Sequence, residues 1–233
     1  MLKPSKLSHV EAAAMTMAAC VAWGAIRSSK AKAGDHCIVV GASGSIGVMV
    51  LQYLRSLGCK VTAVCSGKNA EFVGSKGADT LVDYTGQNFA DEAKRFGISY
   101  DCVFDCVGGR DIERDGFKVL KQNGVYVTVV GPMRYIGEHK LSWYSLLKVV
   151  GYVLKRMLIT LFRGPRYRFV GSLPRNSINA ALDQAVSHGL RMPIERTIPF
   201  QIDAVKSAMR LLTTHRAKGR IVIDFDRLGD DGE

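Results

Sequence analysis

The sequence predicts an α/β protein built on a doubly wound parallel sheet. The first observation is a β-branched run at 37–40, which passes through a glycine-rich turn into an apolar helical repeat starting at Ile46. The second is the alternation of strand and helix patterns that continues from this turn to residue 130. Strands that alternate with helices in this way pair in parallel and carry helices on the faces of the sheet.

Composition sets the bounds for this fold. The chain has 233 residues, of which 47% are hydrophobic and 23% are charged, enough for one large domain or somewhat more. The formal net charge of +11 favours polyanions, anionic lipid or phosphate-bearing ligands. The alternative is an ordinary solvated basic surface, and we prefer it.

The cysteines and histidines argue against disulfide and metal chemistry. The six cysteines lie mostly inside apolar runs, without a C-x-x-C pair, and are therefore expected to be small buried side chains. The five histidines are scattered and form no H-E-x-x-H motif. The sequence therefore predicts no metal site.

The first element is a helix over residues 8–27. Ser8 and Glu11 have the spacing of a capping box. Its length of about 20 residues is that of a membrane span, but alanine and threonine are frequent, and Glu11 and Arg27 bracket it closely. Because it is apolar nearly all round, we interpret it as a helix packed inside the protein.

The glycine-rich turn over 41–47 is the strongest functional motif. Its three glycines have the spacing G-x-x-G-x-x-G and lie between a strand and a helix, which is the context a dinucleotide-binding motif needs. The glycines allow close approach to a pyrophosphate, and the helix presents N–H groups to it. A glycine turn without a ligand is the less favoured alternative. The cofactor-binding residues predicted here are Gly41, Ser43, Gly44, Ser45, Ile46 and Gly47.

The following elements bring further residues to the same place. The predicted order is a helix to Leu57, strand 59–65, helix 69–75, strand 80–84, helix 87–96, strand 100–106, helix 110–121 and strand 124–130. Ligands of such sheets bind beyond the carboxyl ends of the strands, so these ends are expected to form one crevice. The predicted binding residues at the last two strand ends are Val107, Gly108, Val130 and Gly131.

The end of the second strand predicts NADPH rather than NADH. NAD-preferring sites place an acidic residue there, whereas this chain has none before Glu71. Ser66 can donate a hydrogen bond to the 2′-phosphate of NADPH, and Lys68 can supply a positive charge. The alternative is that both are merely turn and surface residues.

Residues 141–162 form a strongly apolar segment with three cations, Lys148, Lys155 and Arg156, along one helical stripe. Charges near its middle make a membrane span costly, so an amphipathic helix is predicted. We favour a helix that covers the core over one that lies on a membrane surface. Three arginines at 163–168 follow without an aromatic platform, so no nucleic-acid partner is predicted.

The last part of the chain contains a few further elements. They are a strand at 167–171, helix 178–187, an extended segment at 192–200, helix 203–212 and a short strand at 221–223. The polar tail 229–233 is expected to be loose.

Four stretches, at 8–26, 39–47, 100–109 and 198–224, carry a resemblance to a known family. They read SHVEAAAMTMAACVAWGAI, VVGASGSIG, YDCVFDCVGG and IPFQIDAVKSAMRLLTTHRAKGRIVID. In this order they resemble the zinc-free quinone oxidoreductase branch of the medium-chain dehydrogenase/reductase family, and within it the reticulon-interacting mitochondrial oxidoreductases.

The resemblance implies a Rossmann domain that binds NADPH and passes hydride to a quinone or enone without a metal. Such enzymes work largely by proximity and orientation, so no catalytic residue is assigned. It also implies that Tyr84 lies against the 2′-phosphate, that strand 167–171 pairs with its twin in a homodimer, and that the location is mitochondrial, with a cytoplasmic one as the alternative.

The resemblance implies a domain division as well, because family members carry a GroES-like catalytic domain that is nearly absent from this sequence. The implied units are an interdomain helix at 1–30, the dinucleotide-binding domain at 31–190 with a helical insertion at 134–166, and a C-terminal segment at 191–228 before the tail. In relatives, the strands of this last segment pair within the catalytic domain. Here they are expected to lack those neighbours.

Two alternatives stay open at this point. A short-chain dehydrogenase would use a Tyr-x-x-x-Lys pair, and Tyr144 and Lys148 fit that spacing, although we favour chance within an amphipathic helix. The other alternative is a non-catalytic NADPH-binding or interaction module, or a truncated product.

Overall fold

The computed structural model describes residues 3–133, 143–162, 164–171, 177–214 and 219–226. The helices are α1 His9–Ser29, α2 Ser45–Ser56, α3 Ala70–Gly74, α4 Phe89–Arg95, α5 Arg110–Val119, α6 Trp143–Phe162, α7 Ser177–Ser187 and α8 Ile202–Thr213, with a 3-10 turn at Gly67–Asn69. The strands are β1 His36–Val40, β2 Lys60–Cys65, β3 Thr80–Asp83, β4 Tyr100–Asp105, β5 Leu120–Thr128, β6 Arg166–Phe169, β7 Ile194–Pro199 and β8 Arg220–Asp224. The first part of the predicted insertion (134–142), Arg163 and the predicted tail 229–233 lie outside the described residues.

The main sheet has six parallel strands in the order β3-β2-β1-β4-β5-β6. The chain moves outward from β1 to β3 and then returns to the other side of β1, so the strand order reverses between β1 and β4. Val40 at the end of β1 is in register with Val64 of β2 and with Asp105 of β4. The predicted fold class is confirmed, and the reversal marks where such sheets bind ligands.

Two hydrophobic cores cover the two faces of this sheet. Along β1, Cys37 and Val39 face one core, while Ile38 and Val40 face the other. The first core is completed by α1, α2 and α7, and the second by α4, α5 and α6. This alternation is the period of two that a strand imposes on its side chains.

Helix α1 is packed inside the protein, as predicted. The Ser8 hydroxyl accepts a hydrogen bond from the Glu11 N–H at 3.1 Å, and the Glu11 carboxylate accepts one from the Ser8 N–H at 2.7 Å. Among the described helices, α1 alone is long and apolar enough to cross a membrane, and half of its apolar window is buried. Met15 and Ala18 are fully buried, so the helix contributes to the first core.

The cysteines also behave as predicted, being free thiols of which five are buried and Cys106 is half-buried.

Strand β5 differs from its prediction. It begins at Leu120 rather than at residue 124, and a register shift between Tyr100 and Cys102 of β4 accommodates the extra residues. Pairing with β4 therefore ends α5 two residues earlier than its sequence pattern indicates.

The prediction that α6 covers the core is right for one side of the helix and wrong for the other. Val153 is buried and Met157 packs against the second core, whereas Leu147, Leu154 and Leu158 are more than half exposed. Polar side chains of α6 occupy the inner side, because they have buried partners on α5 and β6.

Strands β7 and β8 form a separate two-stranded parallel sheet. The two segments expected to lack their neighbours therefore pair with each other, through contacts such as Thr197 with Val222. At their ends, the rings of Phe200 and Phe225 lie 4.7 Å apart, and both side chains are exposed. This leaves an apolar surface at the C-terminal part of the chain.

Candidate nucleotide-binding site

The glycine turn caps the carboxyl end of β1 and is held to β2. The Val64 carbonyl accepts hydrogen bonds from the N–H groups of Gly41 and Ala42, each at 3.1 Å. The Gly44 N–H then donates to the Gly41 carbonyl at 3.1 Å, which closes the turn before α2 begins. Gly41 has a φ of +77°, a conformation that favours glycine. These three hydrogen bonds hold the turn in place.

The three glycines of the motif meet different surroundings. A Cβ at Gly41 would lie 2.7 Å from Val107 Cγ2, and one at Gly47 would run into the Gly41 carbonyl and lie 2.8 Å from Ala42 Cα. A Cβ at Gly44 would meet only the Gly41 carbonyl oxygen, at 3.3 Å. Gly41 and Gly47 therefore allow the backbone to pack, whereas Gly44 has this single close neighbour and lines a cavity.

A buried carboxylate organises the loop after β4. Asp105 is 1% exposed, and its Oδ1 accepts hydrogen bonds from the N–H groups of Val107 at 2.9 Å and Gly108 at 2.8 Å. Its Oδ2 accepts from the hydroxyls of Tyr126 at 2.8 Å and Thr128 at 3.0 Å. Burial raises the pKa of the Asp105 carboxyl, and these four hydrogen bonds oppose that shift.

The loop after β5 is tied to the same network. The Thr128 hydroxyl accepts hydrogen bonds from the N–H groups of Gly131 at 2.9 Å and Val130 at 3.3 Å. The Gly109 N–H donates to the Gly131 carbonyl at 3.0 Å, and a Cβ at Gly108 would lie 2.7 Å from Val130 Cγ1. The predicted residues at these two strand ends are therefore brought together.

A cavity of about 750 Å³ lies at this edge of the sheet. Of the residues predicted to bind a cofactor, it is lined by Gly41, Ser43, Gly44, Ser45, Tyr84, Val107 and Val130. Sequence reasoning missed a second wall, made by the start of α4, by α5 and by the C-terminal part: Gln87, Asn88, Phe89, Asp111, Ile112, Asp115, Leu212 and Gly219. The cavity spans the crevice where the strand order reverses.

The second wall is fixed by a contact between α4 and α5. The side chain of Asn88 makes both connections. Its Oδ1 accepts a hydrogen bond from the Ala90 N–H at 2.9 Å and so caps α4, and its Nδ2 donates one to Asp115 Oδ2 at 2.6 Å. Asp115 is 3% exposed and also pairs with Lys118 at 2.8 Å. Burial alone would raise the pKa of Asp115, but hydrogen bonds from Lys118, Asn88 and Arg114 lower it below the usual value.

The other predicted residues stand outside the cavity lining. They include Ile46, which is half-buried, and the buried glycines Gly47, Gly108 and Gly131. Ser66 is half-buried, and Lys68 is exposed on the 3-10 turn after β2. They flank the turn, but they are not among the side chains that enclose the crevice.

A carboxylate that the sequence analysis did not consider lies beside this turn. A Cβ at Gly67 would be 2.5 Å from Oδ2 of Asp83, the last residue of β3. The Asp83 Oδ1 accepts hydrogen bonds from the N–H of Thr85 at 2.9 Å and its hydroxyl at 2.7 Å, and these bonds lower the pKa of Asp83. A negative charge therefore sits next to the residues predicted to bind a 2′-phosphate. The signal was present in the sequence, since Asp83 directly precedes Tyr84.

The sequence matches the protein family described as zinc-binding dehydrogenase over residues 76–223. The chain belongs to the medium-chain dehydrogenase/reductase family. It is similar to the mitochondrial NAD(P)H oxidoreductase RTN4IP1 of mouse, at 30% identity over 230 residues, and to the human protein of that name, at 28% over 229 residues. In both comparisons the match covers 95% of this chain and 57% of the relative.

Two further comparisons concern a plant reductase and a solved structure. A 2-methylene-furan-3-one reductase of Solanum lycopersicum is 28% identical over 224 residues, covering 95% of this chain and 48% of the relative. The chain thus spans about half the length of these curated relatives. The quinone oxidoreductase structure from Coxiella burnetii superposes with a TM-score of 0.74 at 23% identity, covering 96% of this chain and 63% of that one. At 23% identity, this structural similarity shows that the two chains share a fold and nothing more.

Family membership excludes the short-chain dehydrogenase alternative. Its predicted pair rests on Tyr144, whose side chain lies outside the described ones. Within the described residues, no group of three or more His, Cys, Asp or Glu side chains could hold a metal ion. The absence of zinc from the protein's chemistry stays a prediction.

The described residues fit a dinucleotide. The cavity is large enough for part of such a ligand, Gly44 leaves its backbone open to it, and α2 begins without a side-chain cap on its first N–H groups. Those groups and the helix dipole favour an anion. The site can hold a nucleotide and orient it, and Asp105 keeps two of its loops in place.

Proposed function

We propose that the chain binds NADPH in this crevice and forms the cofactor-binding part of a zinc-free oxidoreductase that transfers hydride to a quinone or enone. The observation that carries the proposal is the open backbone at Gly44, at the start of α2 and facing the 750 Å³ cavity. A pyrophosphate needs that close approach. The names of the relatives support the reaction class, because they include NAD(P)H oxidoreductases and the reductase of a 2-methylene ketone, which is an enone.

Each part of the crevice has a role in this proposal. Ser43, Gly44 and Ser45 hold the pyrophosphate, with Ile46 and Gly47 supporting the turn from behind. Ser66, Lys68 and Tyr84 hold the adenosine end and its 2′-phosphate. Val107, Gly108, Val130 and Gly131 form the floor on which the rest of the cofactor lies.

The chemistry comes from the cofactor, whose nicotinamide supplies the hydride when it is bound. The residues of this chain bind and orient it, and Asp105 keeps the loops after β4 and β5 in register through its four hydrogen bonds. No side chain is assigned a proton transfer. Rate enhancement then comes from proximity and orientation.

The proposal includes the domain division and the assembly. The chain comprises an interdomain helix at 1–30, the dinucleotide-binding domain at 31–190 with a helical insertion at 134–166, and a C-terminal segment at 191–228 before the tail 229–233. In relatives, the counterpart of the C-terminal segment returns to the catalytic domain. We also propose a homodimer through strand 167–171. Support comes from the position of β6 at the sheet edge, where an unpaired strand can add another. The proposed location is mitochondrial, with a cytoplasmic one as the alternative, and rests on the names of the relatives.

A second candidate is a non-catalytic NADPH-binding module. The exposed apolar surface around Phe200, Ile202, Met209 and Phe225 favours it, because such a surface marks a site of protein contact. A module of this kind would bind cofactor and a partner protein without turnover.

One experiment separates these candidates. NADPH and NADH are titrated into the chain with cofactor fluorescence as the readout, and quinone reduction is then measured at saturating cofactor. Binding with turnover supports the oxidoreductase, whereas binding without turnover means that this chain on its own acts only as a cofactor-binding module. Failure of both cofactors to bind overturns both proposals.

A further inference from the structure

One side of α6 presents a continuous apolar stripe to solvent. The stripe consists of Trp143, Leu147, Val150, Leu154 and Leu158, whose spacing of four, three, four and four residues places them on one helical face. Their exposed fractions are 75%, 54%, 46%, 55% and 62%. Contiguous exposed apolar surface of this kind marks a site of interaction.

Contacts on the opposite side fix the rotation of the helix. Arg156 forms a 2.6 Å ion pair with the buried carboxylate of Glu113, and the Tyr152 hydroxyl donates to the same carboxylate at 3.0 Å. The Thr160 hydroxyl accepts the Tyr167 N–H at 3.0 Å. Turning the apolar stripe inward would break these contacts and leave Glu113 buried and unpaired, which is costly. The stripe is therefore held outward.

The charges beside the stripe are positive. Lys148 and Lys155 are exposed and lie seven residues apart, so they share a face next to the stripe. Residues 143–162 contain no aspartate or glutamate. Lys148 and Arg110 also line a small cavity of about 160 Å³ beside Tyr152. An apolar face flanked by cations is the pattern of a helix that lies in the interface of an anionic membrane.

We propose that α6 docks the protein on a membrane containing anionic phospholipid. The apolar stripe enters the interface between headgroups and acyl chains, with Trp143 at the level that tryptophan prefers. Lys148 and Lys155 keep their aliphatic parts along the apolar surface and extend their ammonium groups to lipid phosphates. The proposal depends only on α6 and its contacts, so it stands apart from the cofactor site.

The charges favour a membrane over a second copy of the chain. If two copies paired antiparallel through the middle of the stripe, Lys148 of one would lie opposite Lys155 of the other. Residues 143–162 of the second copy would bring no carboxylate to meet either lysine, so this arrangement is repulsive. Anionic lipid instead brings negative charge to this face, and the net charge of +11 adds long-range attraction.

The test is flotation of the full chain with lipid vesicles at low salt. Vesicles of phosphatidylcholine with phosphatidylserine are compared with vesicles of phosphatidylcholine alone. The expected result is co-flotation with the anionic vesicles only, reduced by added salt. Absence of co-flotation with anionic vesicles overturns the proposal, as does equal binding to both kinds.

Two double variants make the test specific. Leu147→Ser with Leu154→Ser removes part of the stripe, and Lys148→Glu with Lys155→Glu reverses the flanking charge. Each is expected to lower vesicle binding at least about tenfold, the scale expected when two charges are reversed or when two leucines that the membrane would bury are lost. The control is Lys94→Glu with Lys206→Glu, which makes the same charge change on exposed lysines of α4 and α8. It should retain most of the binding.

Sedimentation of the same variants tests the alternative that a second copy of the chain covers the apolar stripe. If the leucine variants dissociate a dimer while vesicle binding is unchanged, the stripe joins two copies and the membrane proposal is wrong. Equal loss of vesicle binding in the α6 charge variant and its control also overturns it, because net charge alone would then explain binding. Circular dichroism and thermal unfolding show whether each variant is folded.

Discussion

The hydroxyl of Tyr126 donates a hydrogen bond to the buried carboxylate of Asp105, across 2.8 Å. This contact joins the end of β4 to a residue near the end of β5. The same carboxylate accepts hydrogen bonds from the N–H groups of Val107 and Gly108, which lie at the beginning of the loop that lines the crevice. The floor of the proposed nucleotide site is therefore built on a buried acidic side chain that does not itself line the cavity.

Asp105→Ala should lower the free energy of unfolding by about 3 kcal/mol or more. It leaves two N–H groups, one buried and one partly buried, and two buried hydroxyls without their acceptor. Loss of a buried partner costs about 1–3 kcal/mol. Tyr126→Phe is the matched control, since it removes one donor and should cost about 1 kcal/mol. Urea denaturation measures both. A loss below about 0.5 kcal/mol for Asp105→Ala, the usual scale of a surface change, would contradict the proposed role.

Asp115 should contribute a pH-dependent part of the stability. Its pKa is lowered in the folded protein, so the contribution is fully present above the unfolded value of about 3.9 and is lost as the pH falls through the folded value. Asp115→Asn should therefore destabilise the protein at neutral pH and reduce the dependence of stability on pH below about 4. Asp91→Asn, at an exposed position on α4, is the control. Identical pH profiles for Asp115→Asn and the wild type would rule the contribution out.

Two glycines of the same motif should respond differently to valine. Gly44→Val places a side chain at the cavity wall, where its Cβ meets only the Gly41 carbonyl oxygen, at 3.3 Å. Cofactor affinity should therefore fall at least about tenfold, or about 1.4 kcal/mol, with the fold retained. Gly47→Val drives a side chain into the backbone of Gly41 and Ala42, so thermal stability should fall instead. Unchanged NADPH affinity in a folded Gly44→Val protein would remove the basis of the proposed function.

Local patterns predicted most of the fold and one wall of the site. The glycine turn and the strand ends could be read from the sequence because parallel strands bring their carboxyl ends to one edge. The second wall could not, because Asn88 and Asp115 meet across 27 positions of sequence and neither has a motif of its own. The outward stripe of α6 escaped prediction for a similar reason. Its rotation is decided by Glu113, whose buried carboxylate holds Arg156 inward.

Cofactor choice is the prediction that the structure makes sharper. The site is expected to prefer NADPH, with Ser66 and Lys68 at the 2′-phosphate. Lys68→Ala should then weaken NADPH binding by about 1–3 kcal/mol, the scale of a hydrogen bond to a charged group, and leave NADH nearly unchanged. Fluorescence titration of both cofactors measures this. Lys60→Ala, an exposed lysine at the start of β2, is the control.

A substitution of Asp83, at the same turn, should have the opposite effect on NADPH affinity to that of Lys68→Ala. Its carboxylate lies beside Gly67, so it would repel a phosphate bound by Ser66 and Lys68. Asp83→Asn keeps an oxygen that can accept from Thr85 but removes the charge, and should strengthen NADPH binding severalfold while NADH binding stays the same. The two variants thus move NADPH affinity in opposite directions if the phosphate lies at this turn. Equal effects on both cofactors, or a wild type that prefers NADH, would mean that the adenosine end lies elsewhere along the cavity, nearer the wall formed by Gln87 and Asn88.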